Sequence, residues 1–164
     1  MMRINELLRR RDEDGFTLIE LMVVVLIIGI LIAIAIPTFL GARQRAQDRA
    51  AQSSLRNALT NAKAIYTDHE DYSNATAASL ASAEPSLTFL EATAGSSTGP
   101  TNISVSEGAV GSTTWAAAAL SKSGKCFYLK DSTNGPGTQF GTGDGTTCKG
   151  SDVPNVTAYQ SGGW

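Results

Sequence analysis

The chain has 164 residues, with 13 lysines and arginines against 15 aspartates and glutamates and a formal net charge of −2 at pH 7. This near balance argues against a nucleic-acid-binding face built from bulk positive charge. A single histidine and two cysteines leave few side chains for a nucleophile–base set or a metal centre. We therefore expect no enzyme activity, no metal and no cofactor.

Residues 1–15 form a polar segment that ends where an apolar run begins. Its four arginines are matched by four acids, so its net charge is zero. The arginines still favour a cytoplasmic location, because acidic residues contribute little to the positive-inside bias. The pattern predicts a cytoplasmic leader over residues 1–15.

The next segment, Phe16 to Ile36, is apolar apart from Thr17 and Glu20. As a helix it would be about 31 Å long, which matches the hydrocarbon core of a bilayer. A carboxylate inside such a segment costs about 2.5–3.5 kcal/mol and therefore needs a reason. One reason is local, because Thr17 and Glu20 have the spacing of a capping box at the start of a helix.

The sequence offers two alternative cleavage sites, one before this segment and one near its end. The sequence Ala33-Ile34-Ala35 fits the small-residue pattern of a secretory signal peptide, which is cut after its apolar region. Gly15 offers the opposite arrangement, immediately before the apolar region. Glu20 within the run and the helical pattern beyond Ile36 count against cleavage after Ala35.

Beyond Pro37 the pattern becomes amphipathic, with apolar residues recurring every three or four positions to Tyr66. We predict one long helix over residues 16–66, whose first part, 16–36, is the membrane segment. Proline lacks an N–H and clashes with the carbonyl four residues earlier. We therefore expect a bend at Pro37, and a loss of helix between Gly29 and Pro37 if any occurs.

Short β-type runs separated by turn-rich linkers follow a possible helical turn at Ala77–Ala83. The predicted strands are Ser86–Glu91, Ile103–Ser106, Thr113–Leu120 and Lys125–Lys130. We expect an α+β fold in which a small antiparallel sheet packs on the long helix. Residues 132–164 are rich in glycine and small polar residues and are predicted to be irregular. A disulfide between Cys126 and Cys148 would hold this region to the sheet.

Few other side chains invite a functional interpretation. His69 lies in an Asp-His-Glu-Asp sequence, but one histidine without further ligands at a suitable spacing is a weak metal signal. Three loop aspartates are conceivable calcium ligands, although they lack EF-hand spacing: Asp131, Asp144 and Asp152. The aromatic residues of the strands, Trp115, Phe127 and Tyr128, are expected to belong to the core.

The sequence Gly15-Phe16-Thr17-Leu18-Ile19-Glu20, together with Pro37 and the long helix, resembles the N-terminal region of bacterial type IV pilins and of related type II secretion pseudopilins. The resemblance covers about residues 9–66. It implies cleavage after Gly15 and methylation of the new N-terminus at Phe16. It also implies that Glu20 pairs with the Phe16 amine of a neighbouring subunit during assembly, and that Pro37 marks the end of the assembly segment.

A pilin would be stored in the inner membrane and then polymerised into a cell-surface filament that serves adhesion, motility or DNA uptake. Its partners would be further pilin subunits, the prepilin peptidase/methyltransferase, and the assembly platform with its ATPase. The domains would then be a leader (1–15), the long helix (16–66) and a β-rich head (67–164). The alternatives are a pseudopilin of a type II secretion system and a membrane-anchored extracellular binding domain that never polymerises.

Overall fold

A computed structural model describes residues 15–155 and 159–164 of the chain. The leader expected over residues 1–15 lies, except for Gly15, outside the described residues. Contacts divide the chain into two compact units, one ending at Gly41 and one formed by Ala42–Trp164, which are described separately below. The second unit, apart from its share of helix α1, is called the head.

Helix α1 is the longest element and spans Leu18–His69, 52 residues with Pro37 inside it. The helix continues through Pro37 although proline removes one backbone hydrogen bond, and strong helix formers such as alanine, arginine and glutamine follow from Ala42 onward. The Thr38 hydroxyl also donates to the Ile34 carbonyl at 3.1 Å. Helix α1 is continuous from Gly29 to Pro37, so the single chain shows no loss of helix there. The bend at Pro37 stays a prediction.

The end of α1 lies close to the predicted position. The Glu70 N–H donates to the Tyr66 carbonyl at 2.6 Å, and Glu70 itself has φ +54°. This left-handed conformation closes many helices, usually with glycine at the position. A 3₁₀ turn, Tyr72–Asn74, and helix α2, Ala77–Ala83, follow. The predicted helical turn at Ala77–Ala83 is confirmed.

Five strands form one sheet in the order β1-β2-β3-β4-β5. Their bounds are β1 Thr88–Glu91, β2 Asn102–Glu107, β3 Thr114–Leu120, β4 Lys125–Ser132 and β5 Gln139–Asp144. The pairs β2–β3, β3–β4 and β4–β5 are antiparallel, which confirms the predicted α+β fold. The first pair is different, because β1 and β2 run parallel with Thr88 opposite Asn102. A purely antiparallel meander was therefore the wrong expectation for β1.

The prediction that residues 132–164 are irregular is wrong in two places. Strand β5 lies within this region, and so does a 3₁₀ helix at Gly150–Asn155. The sequence of β5, Gln-Phe-Gly-Thr-Gly-Asp, has no apolar alternation. It is a strand because the outer edge of β4 offers it a complete ladder of backbone partners, from Lys125 opposite Asp144 to Lys130 opposite Gln139.

The main core lies between one face of the sheet and the second part of α1. The helix contributes Ala51, Leu55, Ala58 and Ala62, all fully buried. Three of these four residues are alanines, and their small side chains let the backbone of the helix approach the sheet closely. Alternate residues of β3 and β4 face this core, namely Trp115, Ala117, Ala119, Phe127 and Leu129. Complete burial of a side chain such as Leu55 contributes about 1.5–3 kcal/mol.

The opposite face of the sheet is covered by the C-terminal region. Cys126 of β4 forms a disulfide with Cys148, and both cysteines pack with Ala118, Tyr128 and Val153 in a second buried cluster. The predicted disulfide is confirmed, and so is the core position of Trp115, Phe127 and Tyr128. The sheet is thus buried on both faces, which explains why β3 reads as a nearly continuous apolar run.

Candidate assembly segment

The segment that the sequence singled out, Gly15 to Ile36, begins with a closed capping box. The Thr17 N–H and hydroxyl donate to Glu20 Oε2 at 3.0 and 2.8 Å. In return the Glu20 N–H donates to Thr17 Oγ1 at 3.2 Å, and the Thr17 carbonyl accepts the N–H of Leu21. The local role of Glu20 as the partner of a helix cap is confirmed.

The Gly15–Phe16 bond precedes this cap. Both residues lie outside the helix and are exposed, with the Phe16 side chain 75% exposed. The bond lies before the first residue of α1 and so outside the helix. Backbone of this kind can enter the extended cleft of a peptidase without unfolding a helix.

The apolar residues after the cap are exposed without exception up to Leu40. Ile19 is 70% exposed, Leu31 61% and Phe39 71%. Such a continuous apolar surface far exceeds what a soluble monomer presents to water. In the described part of the chain, α1 is the one helix long and apolar enough to cross a membrane, judged by length and composition.

Small residues interrupt the bulky ones on this surface. A Cβ atom placed on Gly29 would meet nothing within 4 Å. The fold of the single chain therefore does not require glycine at this position. Glycine and alanine allow apolar helices to approach one another closely.

In the head, a buried carboxylate joins α1 to β4. Asp131 accepts hydrogen bonds from the hydroxyls of Tyr72 at 2.6 Å and Thr138 at 2.5 Å. Lys63 of α1 lies 3.0 Å from the same carboxylate. Burial raises the pKa of Asp131, but the hydrogen bonds from Thr138, Tyr72 and Lys63 outweigh it and hold the pKa below its usual range. Asp131 thus serves as a structural link, which the sequence had not indicated.

The other candidate ligand residues are not brought together. Asp144 lies at the end of β5 and is exposed, while Asp152 accepts the N–H of Lys149 at 3.2 Å. His69 is exposed at the end of α1. Within residues 15–155 and 159–164, no group of three or more histidine, cysteine, aspartate or glutamate side chains has the geometry to hold a metal ion.

Comparison with known proteins agrees with the geometry of the N-terminal segment. The family described as "Prokaryotic N-terminal methylation motif" matches residues 10–36, which include Gly15, Phe16 and Glu20. The chain carries a prokaryotic N-terminal methylation motif at these residues.

Curated relatives are of two kinds. The type IV major pilin protein PilA of Myxococcus xanthus is 47% identical over 60 residues, which is 37% of this chain and 27% of that protein. The type IV wide pilus major component PilA4 of Thermus thermophilus is 38% identical over 68 residues, 42% of this chain and 52% of that protein. The type II secretion system core protein G of Aeromonas hydrophila is 39% identical over 59 residues, 36% of this chain and 41% of that protein.

The matches therefore span about a quarter to a half of the length of these relatives. No solved structure gave a significant match.

Proposed function

We propose that this protein is a structural subunit of a type IV pilus. In this proposal it enters the inner membrane through residues 16–36, loses its leader by cleavage after Gly15 and is methylated at Phe16. It then polymerises through its N-terminal helix into a surface filament. The PilA and PilA4 proteins, which are named as major pilus components, support the proposal by their similarity to the N-terminal segment.

The observation that carries the proposal is the exposed apolar surface from Phe16 to Leu40. In water this surface is unfavourable by about 25 cal/mol for each square ångström of apolar area, so it must be covered. A bilayer covers it during storage, because the length matches the hydrocarbon core. Copies of the same surface cover one another in a filament, where small residues such as Gly29 permit close helix contacts.

Glu20 can serve the cap and the assembly step at the same time. The two capping-box bonds that reach the Glu20 carboxylate both end at Oε2, and the third joins the Glu20 N–H to Thr17 Oγ1. The second carboxylate oxygen, Oε1, makes none of these bonds and is therefore available to an incoming cation. Cleavage after Gly15 creates such a cation at Phe16. An ion pair with the Phe16 amine of a neighbouring subunit then offsets the cost of the carboxylate in apolar surroundings.

The remaining parts of the proposal follow from this assembly route. The prepilin peptidase/methyltransferase, the assembly platform and its ATPase are the expected partners. Pro37 lies near the end of the exposed apolar surface and marks the boundary of the filament core. Adhesion, motility or DNA uptake are proposed as properties of the filament, whereas direct nucleic-acid binding by the subunit is not proposed.

A second candidate function is a pseudopilus subunit of a type II secretion system. Its support is the similarity to core protein G of Aeromonas hydrophila and of Vibrio cholerae, 39% and 41% identical over the N-terminal segment. The two candidates share the processing and the apolar contacts, so they differ only in whether long filaments reach the cell surface.

Electron microscopy of filaments sheared from cells, with mass analysis of the subunit N-terminus, tests the proposal. We expect a subunit that begins at methylated Phe16 in surface filaments. Processed subunits without surface filaments would favour the pseudopilin. A subunit that begins at Ile36, or one intact from Met1, would contradict both candidates and favour a chain that never polymerises.

A further inference from the structure

The second part of α1 carries an unusual excess of positive charge. Between Gly41 and Thr67 the sequence has five cations, Arg43, Arg45, Arg49, Arg56 and Lys63, and one acid, Asp48. A helix that is stable by itself commonly places acids one turn from its cations. The structure explains some of these charges by contacts within the head and leaves others unexplained.

Three of the six charged residues have partners in the head. Asp48 accepts hydrogen bonds from the hydroxyls of Ser121 and Ser123 and lies 3.6 Å from Lys125. Burial raises the pKa of Asp48, but these partners outweigh it and lower the pKa. Asp48 is therefore committed to the turn between β3 and β4 rather than to the arginines beside it.

The other two partnered residues are cations. Lys63 is paired with Asp131. The Arg56 guanidinium lies over the rings of Phe140 and Trp164, 5.7 and 5.2 Å from their centroids. Both contacts belong to the head, and neither uses an exposed acid.

Arg43, Arg45 and Arg49 remain. We call Arg45 and Arg49 the basic patch, because Arg43 lies two residues before Arg45 and therefore on a different face of the helix. All three are exposed, and no ion pair found among the described residues includes any of them. Arg45 and Arg49 lie one helical turn apart on the same face, where like charges repel. Cations on this flank also oppose the orientation that the leader arginines favour. The patch is therefore exposed, has no ion-pair partner among the described residues and is open to a partner outside the chain.

A complementary surface exists at the far end of the same helix. Asp68 and Glu70 are exposed and lie within three residues of each other. The neighbouring Asp71 is already occupied, because its carboxylate accepts the N–H groups of Ser73, Gly111 and Ser112 at 2.7–3.0 Å. These bonds lower the pKa of Asp71 to about 2. Asp68 and Glu70, called the acidic end below, are thus left to meet a partner.

We propose that the basic patch of one copy of this chain docks against the acidic end of a second copy. The proposal rests on the proposed function, in which copies of α1 pack side by side in one direction. Arg45 and Asp68 are 23 residues apart in one helix, so the two copies are displaced along the helix axis by about 35 Å. The apolar surfaces of two copies can slide along each other without losing contact. Opposite charges meet only at this displacement, so they fix the register between the copies.

The test uses charge reversal in the full chain, with surface filament yield as the readout. Arg45→Glu with Arg49→Glu reverses the patch, and Asp68→Lys with Glu70→Lys reverses the acidic end. We expect each pair of substitutions to lower filament yield about tenfold or more, because it places like charges opposite each other. All four substitutions together should restore the yield to within about twofold of wild type.

Two controls separate this effect from misfolding and from a general change in charge. Asp144→Lys, at an exposed acid on β5, changes the net charge by the same amount as one substitution at the acidic end. It should leave the filament yield unchanged. Thermal unfolding and the amount of processed subunit in the membrane should match wild type in every variant, because the altered side chains are exposed.

The outcomes distinguish the inference from the proposed function. Absence of filaments from the wild-type chain would reject the proposed function itself. If the wild type and both charge-reversed variants all form filaments in similar yield, the basic patch does not dock against the acidic end. The proposed function would then still stand. Failure of the fourfold variant to recover would also overturn the docking. Reduced membrane storage of the Arg45→Glu/Arg49→Glu chain would assign the patch to anionic lipid instead.

Discussion

The link between Asp131 and its three partners offers the most direct test of how the head is held on α1. In Asp131→Ala the buried Tyr72 hydroxyl loses a charged acceptor at 2.6 Å, which costs about 1.5–3 kcal/mol. Lys63 loses an ion pair, but its side chain is 49% exposed and water replaces the acid, so this adds at most about 1 kcal/mol. We expect a total loss of about 3 kcal/mol in the free energy of unfolding.

The assay is thermal and urea unfolding of the full chain in detergent, followed by the fluorescence of the buried Trp115. For a head of this size, a loss of about 3 kcal/mol lowers the Tm by about 10 °C. Tyr72→Phe removes only the hydroxyl and should cost about 1–2 kcal/mol. The double variant should cost less than the sum of the two, because both substitutions remove the same hydrogen bond.

The pH dependence follows from the lowered pKa of Asp131. A carboxylate whose pKa is lower in the folded than in the unfolded state stabilises the fold above its unfolded value of 3.8. This contribution is lost as the pH falls through the lower pKa of the folded state. The stability of wild type should therefore approach that of Asp131→Ala below pH 3.8.

Asp144→Ala, at an exposed acid, is the control and should change stability by less than about 0.5 kcal/mol. A loss in Asp131→Ala no larger than in this control would refute the reasoning.

Three further predictions concern other parts of the chain. Glu20→Ala should leave cleavage after Gly15 intact but abolish filaments, because it removes the carboxylate proposed to pair with the new amine; mass analysis and electron microscopy measure both. Cys126→Ser should lower the free energy of unfolding by about 3 kcal/mol, since the disulfide closes a loop with a sequence separation of 22. Burial and the neighbouring Glu91 carboxyl raise the pKa of Glu107. Because ionised Glu107 and Glu91 repel each other at neutral pH, Glu107→Gln should raise the free energy of unfolding by up to about 0.5 kcal/mol.

Each of these predictions has a matched control. Wild-type filament yield from Glu20→Ala would contradict the pairing role, and Glu20→Gln, which keeps a capping oxygen, separates that role from the cap. Wild-type protein treated with a reducing agent should unfold as Cys126→Ser does. The gain in Glu107→Gln should disappear below pH 4.5, where the carboxyl is protonated in both states; a gain that persists there would have another cause.

The sequence alone determined the parts of this protein that depend on composition and local periodicity. The uninterrupted apolar run from Leu21 to Ile36 leaves no polar face for water, so its need for a covering partner follows from the sequence alone. The strands β2 to β4 were predicted within one or two residues because their apolar residues are dense and turns bound them. The spacing of Thr17 and Glu20 was enough to predict the capping box.

Tertiary structure decided whatever depends on contacts between distant residues. Strand β5 has no apolar alternation and forms because β4 offers it backbone partners. Nothing in the sequence indicates that Lys63, Tyr72 and Thr138 meet at Asp131. They become one hydrogen-bonded network around the buried Asp131 carboxylate only when the sheet packs on the helix, because a polar group is buried only where its partners meet it. The arginines of the basic patch are visible in the sequence, but only the structure shows that Asp48, Arg56 and Lys63 of the same helix already have partners.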